Sequence, residues 1–156
     1  MKHQCRRHTL WGVHNENKPQ HAFEVTEAIL CFPDAVQIRR RSVPHEADAV
    51  FTLADKTYYL ELDRDTMKLA EIRHRMKKYD GCAHDVLWVC PSRSRVEDLR
   101  TIAPEAMEFW FTTFDELLAN SNGMIWVDRQ GMTTHLATRD ATQDAVTHRI
   151  RAECYP

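Results

Sequence analysis

Glycine is scarce: four residues in a chain of 156. That leaves little scope for a glycine loop that cradles phosphate, and there is no G-x-S-x-G nucleophile turn. Paired cysteines are missing too. The five stand singly at 5, 31, 82, 90 and 154, an odd count without C-x-x-C, which argues against a disulfide framework or a four-cysteine zinc site and fits a reducing cytosol. No apolar run approaches the roughly 20 residues that cross a bilayer. The opening MKHQCRRHTLWGV carries basic residues but no apolar stretch, so no secretory signal is expected, and the expected location is cytoplasmic, with no membrane partner. Excess positive charge is also absent. The net charge is −2 with histidine neutral, so any nucleic-acid binding has to come from a local basic patch.

What is present is an ordinary globular composition, 43% hydrophobic and 28% charged. A chain of this length buries a core without covalent staples. Residues 1–19 read as an irregular lead-in, 20–136 as one domain and 137–156 as a polar tail. Apolar spacing predicts a helix over Gln20–Cys31, ended by Pro33. Alternation predicts a strand over Ala35–Val43. Two strands rich in β-branched and aromatic residues follow, Ala47–Leu53 and Thr57–Arg64, joined by a tight turn around Ala54-Asp55-Lys56. Leu69, Ile72, Met76 and Tyr79 form the stripe of a helix over Thr66–Tyr79, capped by Asp65 or Thr66. Asp85–Cys90 reads as a buried strand. Ser92 caps a helix through Ile102, Met107–Thr112 is a strand, Phe114–Ala119 a short helix, and a hairpin spans Met124 to Leu136. Meander strands followed by β-α-β crossovers imply an α/β fold of α+β type, a central mixed sheet flanked by helices.

Chemistry concentrates on the hairpin. Alternation puts Glu61 and Asp63 on one face with Tyr59, and Leu60 and Leu62 on the other. A turn pairing Leu53 with Tyr58 sets Asp63 opposite Asp48 and Glu61 opposite Val50, with all three carboxylates on one face. Like charges this close destabilise a sheet by up to about 1 kcal/mol. A hard divalent cation, Mg²⁺ or Mn²⁺, offsets that with oxygen ligands and activates water toward a phosphodiester. The plainer reading is surface charge at strand ends, paired by Arg64 or Lys68.

The residues that carry a resemblance are Pro44-His45-Glu46-Ala47-Asp48-Ala49-Val50-Phe51, Tyr59-Leu60-Glu61-Leu62-Asp63-Arg64-Asp65-Thr66, the basic helix to Tyr79, and Val86-Leu87-Trp88-Val89. Over residues 20–127 the chain resembles the replication-relaxation proteins of plasmids and mobile elements, which look like members of the PD-(D/E)XK nuclease superfamily. The resemblance implies a restriction-endonuclease-like core acting on DNA with Mg²⁺ or Mn²⁺. It makes Asp48 and Glu61 the catalytic acidic ligands. Asp63 stands where the superfamily usually has lysine, and would serve as a ligand or base. Lys68, Arg75 or Lys77 would then replace the missing cation, and Glu27 or Glu24 would add a helix ligand. The resembled family usually carries an N-terminal winged helix for which this chain has no room, so either a partner protein supplies DNA recognition or the chain is a solitary core, and the resemblance allows a homodimer.

The helix cations Lys68, Arg73, Arg75, Lys77 and Lys78 suit phosphate contact, with Arg39 and Arg41 completing a basic rim. Against that, a charge run is usually a solvated face, and Glu71 with Arg75 is an ordinary i,i+4 pair. His74, Cys82 and His84, and His3, Cys5 and His8, lack four-ligand spacing, so zinc is not expected. Trp88, Cys90, Trp110 and Trp126 read as core. Three readings stay open: a metal-dependent nuclease, a DNA-binding accessory made degenerate by Asp63, and a protein-interaction domain whose carboxylates are surface charge and whose melting temperature ignores Mg²⁺ and Mn²⁺.

Overall fold

The computed structural model describes residues 19–37 and 47–136. The elements are α1 (Pro19–Leu30), β1 (Val36–Gln37), β2 (Ala49–Leu53), β3 (Lys56–Leu62), α2 (Leu69–Met76), β4 (Asp85–Cys90), α3 (Arg93–Ile102), β5 (Phe109–Thr113), α4 (Phe114–Asn120), β6 (Trp126–Val127) and β7 (Thr133–Thr134). A 3₁₀ turn over Lys77–Tyr79 tightens the end of α2. Seven strands form one sheet in chain order. β1-β2-β3 are antiparallel, β3-β4-β5 parallel, and β5-β6-β7 antiparallel again. This is the mixed α+β fold expected from the pattern of elements. Its helix, three-strand meander, helix and parallel strand are consistent with a restriction-endonuclease-like arrangement. No described helix is long and apolar enough to cross a membrane.

Parallel strands need crossovers, and α2 and α3 supply them on one face of the sheet. There Ile72, Met76, Val96 and Leu99 pack on Val50, Tyr59, Trp88 and Phe111. The other face is covered by α1 and α4, through Val25, Ala28 and Leu117 against Phe51, Leu60, Leu62, Leu87 and Trp126. With both faces covered, all six residues of β4 are buried, which is why its sequence runs apolar rather than alternating. Trp88, Cys90 and Trp126 are core, as expected, whereas Trp110 is half-buried and donates from Nε1 to Asp85 Oδ2 at 3.1 Å.

The hairpin register differs from the sequence expectation. Ala54 and Asp55 both have positive φ, 48° and 63°, so they alone make the loop, a two-residue turn of the type whose twist matches paired strands. Leu53 therefore pairs with Lys56, not Tyr58, and Val50 with Tyr59. The shift is by two residues, so every side chain keeps its face. It nevertheless moves Glu61, rather than Asp63, beside Asp48.

α2 begins at Leu69, not Thr66. Its leading backbone N–H, on Lys68, donates to the Glu71 carboxylate at 3.0 Å, so the cap is not Asp65 or Thr66. Ser92 does cap α3, accepting from Arg95 N at 3.2 Å. The sequence strand over Ala35–Val43 is described only as Val36–Gln37. Its remainder, with Arg39 and Arg41, lies outside the described residues, as do His3, Cys5, His8 and the tail.

Candidate functional site

Asp48 sits just before β2, with its carboxylate turned across the hairpin. Oδ2 accepts from the backbone N–H of Leu62 at 2.9 Å. Oδ1 lies 3.0 Å from His21 Nε2 on α1 and 3.5 Å from Arg75 Nη2 on α2. Burial alone would raise the Asp48 pKa, but the His21 and Leu62 hydrogen bonds and the Arg75 charge outweigh it, so the carboxyl is held below its usual range.

Glu61 is 1% exposed. The Tyr79 hydroxyl donates to its Oε1, and Arg75 Nη2 stands 2.5 Å from Oε2. Among the described residues Oε2 has that ion pair and no further partner. Burial is the main reason the Glu61 pKa is pushed up to about 8. The Asp48 charge adds to it, against the opposing effects of Arg75 and Tyr79. The same burial, and the charge of Glu61, push the Tyr79 hydroxyl upward, so it stays a donor. Arg75 and Tyr79 are four residues apart. The tightened turn keeps them on one face and brings both to Glu61. Beside them opens a cleft of about 340 Å³ lined by Glu61, Met67, Glu71, His74, Arg75, Lys78 and Tyr79.

Asp63 lies on the same side but belongs to a separate, closed pair. Arg95 from α3 donates from Nε to Asp63 Oδ2 at 2.6 Å and from Nη2 to the Met67 carbonyl at 2.7 Å, and its Nη1 stands 3.1 Å from Asp65. The Arg95 side chain is 8% exposed and that of Asp63 is fully buried. One guanidinium thus fastens the β3–α2 loop, including Asp65 at φ 56°.

The structure therefore brings together Asp48, Glu61 and Arg75 and sets Asp63 apart. Lys68 and Lys77 are exposed and hold neither carboxylate. Of the two acidic residues considered on α1, Glu24 is the one tied to the end of β3, through a 3.1 Å pair with Arg64, while Glu27 takes no part in the ion pairs of the described residues. The reading of Arg75 as an i,i+4 partner of Glu71 is corrected: Glu71 is used at the head of α2, and Arg75 turns inward. Arg64 and Lys68 are likewise not the partners of the hairpin carboxylates. Sequence reasoning missed His21 and Arg95 and placed Tyr79 only in the apolar stripe.

Asp48 and Glu61 offer hard oxygen donors suited to Mg²⁺ or Mn²⁺, and among the described residues Glu61 Oε2 is held by the Arg75 charge alone. Among the described residues no three His, Cys, Asp or Glu side chains gather as a metal-holding group. A cation here would use two carboxylates and complete its shell with water and substrate oxygens, as Mg²⁺ commonly does. No family model, curated protein or solved structure matches the chain.

Proposed function

We propose that this chain is a divalent-metal-dependent, nuclease-type phosphodiesterase acting on DNA. Asp48 and Glu61 would hold Mg²⁺ or Mn²⁺, and Arg75 would be the cation facing phosphate. The observation that carries this reading is the convergence of those three side chains beside an open cleft. Two acids that would hold a metal ion and one cation suit hydrolysis of a phosphodiester. The bound ion would supply Lewis acidity and lower the pKa of water. Asp48 stays ionised because His21, the Leu62 N–H and Arg75 favour its anion. Tyr79 fixes the orientation of Glu61 by donating to one of its oxygens, and Arg75 faces the other. Arg75 supplies from α2 the positive charge that Asp63 does not supply from the strand. Lys78 extends that charge along the cleft. Linkage to plasmid or mobile-element replication follows from the resemblance of the Asp48 and Glu61 strands to the replication-relaxation proteins. A partner protein would then contribute DNA recognition.

A second reading has its own support. Asp63 is consumed by Arg95, and an arginine whose pKa is raised by Glu61 and Asp48 despite its burial does not exchange protons. The site thus lacks the usual lysine, and the domain would bind DNA without cutting it. Cleavage of a panel of DNA and RNA substrates with Mg²⁺ and Mn²⁺ decides between them. The nuclease reading expects metal-dependent cleavage that Asp48→Ala abolishes. Cleavage undiminished in that variant refutes it, and salt-sensitive DNA binding with no turnover by either ion selects the accessory reading.

A further inference from the structure

The two arginines that neutralise hairpin carboxylates are held differently. Arg95 is 8% exposed and meets three acceptors, two of them through hydrogen bonds of 2.6 and 2.7 Å. Arg75 is 28% exposed and stands 3.5 Å from Asp48 Oδ1 and 2.5 Å from Glu61 Oε2. It lines the cleft, where Glu71 offers a second carboxylate. The turn after Arg75 is 3₁₀ rather than α-helical, a poorer hydrogen-bonding geometry that lends itself to local adjustment.

From this contrast we infer that Arg75 is an exchangeable internal counter-ion. It bridges Asp48 and Glu61 in the resting protein and is displaced into the cleft when a divalent cation takes its place between them. The inference rests on the reading of Asp48 and Glu61 as a metal-holding pair and adds a control element to it. A +1 side chain and a +2 ion compete for the same two carboxylates, and the ion wins by charge while releasing the guanidinium toward the phosphate cleft. No atom of the backbone need move far: an arginine side chain reorients about four torsions, and the open side of Arg75 faces the cleft.

Competition has a signature opposite to that of a helper. Removing a group that assists metal binding weakens the site, whereas removing a competitor strengthens it. Mn²⁺ binding is measured by calorimetry, at slightly alkaline pH where fewer protons occupy the carboxylates, on the wild type, Arg75→Met and Arg75→Lys. The expected result is binding at least about tenfold tighter in Arg75→Met than in the wild type, with Arg75→Lys between them. The lysine variant keeps a charge at this position, so the comparison stands if the methionine variant folds poorly. Mn²⁺ should also raise the melting temperature of Arg75→Met more than that of the wild type. If the wild type binds and Arg75→Met binds equally or more weakly, the inference is overturned while the metal-site reading survives. Binding in Arg75→Met with none in the wild type shows a fixed counter-ion that the cation does not displace, and overturns both the exchange and the metal-dependent enzyme. Absence of binding in all three overturns both.

Discussion

Replacing Arg95 with methionine should unfasten the β3–α2 loop at a cost that can be worked from its contacts. The substitution keeps much of the side-chain volume but leaves the Asp63 carboxylate buried without its partner. Breaking a buried pair from one side costs about 3–5 kcal/mol. The Met67 carbonyl also loses a donor at 2.7 Å, a smaller loss of about 1 kcal/mol. About 4–6 kcal/mol in total corresponds to a melting temperature lower by roughly 8–24 °C for a domain of this size. Urea denaturation and thermal melting of the metal-free protein measure it. The double variant Arg95→Met/Asp63→Leu removes both charges and should recover most of the stability, because an apolar pair of similar volume is often no worse than a buried ion pair. It should also still bind Mn²⁺, because Asp63 is assigned a structural role and not a ligand's. A loss under about 1 kcal/mol in Arg95→Met, the range of exposed pairs, would refute the reasoning. So would a double variant as unstable as the single one.

Glu61 makes metal-free stability depend on pH. Its pKa rises from 4.5 to about 8 on folding, so between those values the folded state binds more protons, and stability is present in full at the acid end and lost as pH rises. The wild type should lose roughly 4 kcal/mol across that window. Glu61→Gln, which can still accept from Tyr79, should remove this slope; an unchanged slope in denaturation curves would contradict the assignment. The hairpin turn carries Ala54 and Asp55 at positive φ, where Asn-Gly is preferred. Ala54→Asn/Asp55→Gly should therefore raise stability by about 1 kcal/mol, seen as a higher urea midpoint with unchanged slope, and a lower midpoint would argue against the two-residue loop.

Legibility from sequence followed the range of the interactions. Period-2 alternation and the apolar run of Asp85–Cys90 gave the strands, and the Ser92 cap gave the start of α3, because those signals are local. Asp48 and Glu61 could be singled out for a similar reason: alternation keeps each on its face under any register shift of an even number of residues. The pairing itself turned on whether Lys56 belongs to the loop, and positive φ at Ala54 is not encoded by alanine. The partners were less legible still. Arg75 looked committed to Glu71 four residues away, and only the packing of α2 on β3 turns it to Glu61. Arg95 lies 32 positions from Asp63, and nothing near it marks it as anything but a helix surface residue. Tyr79 was visible as a buried ring but not as the donor to a buried acid.

The most direct test is a Mn²⁺ titration of the wild type against Asp48→Ala/Glu61→Ala, with melting curves to show that the double variant is folded. Saturable binding that disappears in the folded double variant is what the account predicts. Binding that persists without those two carboxylates would contradict it.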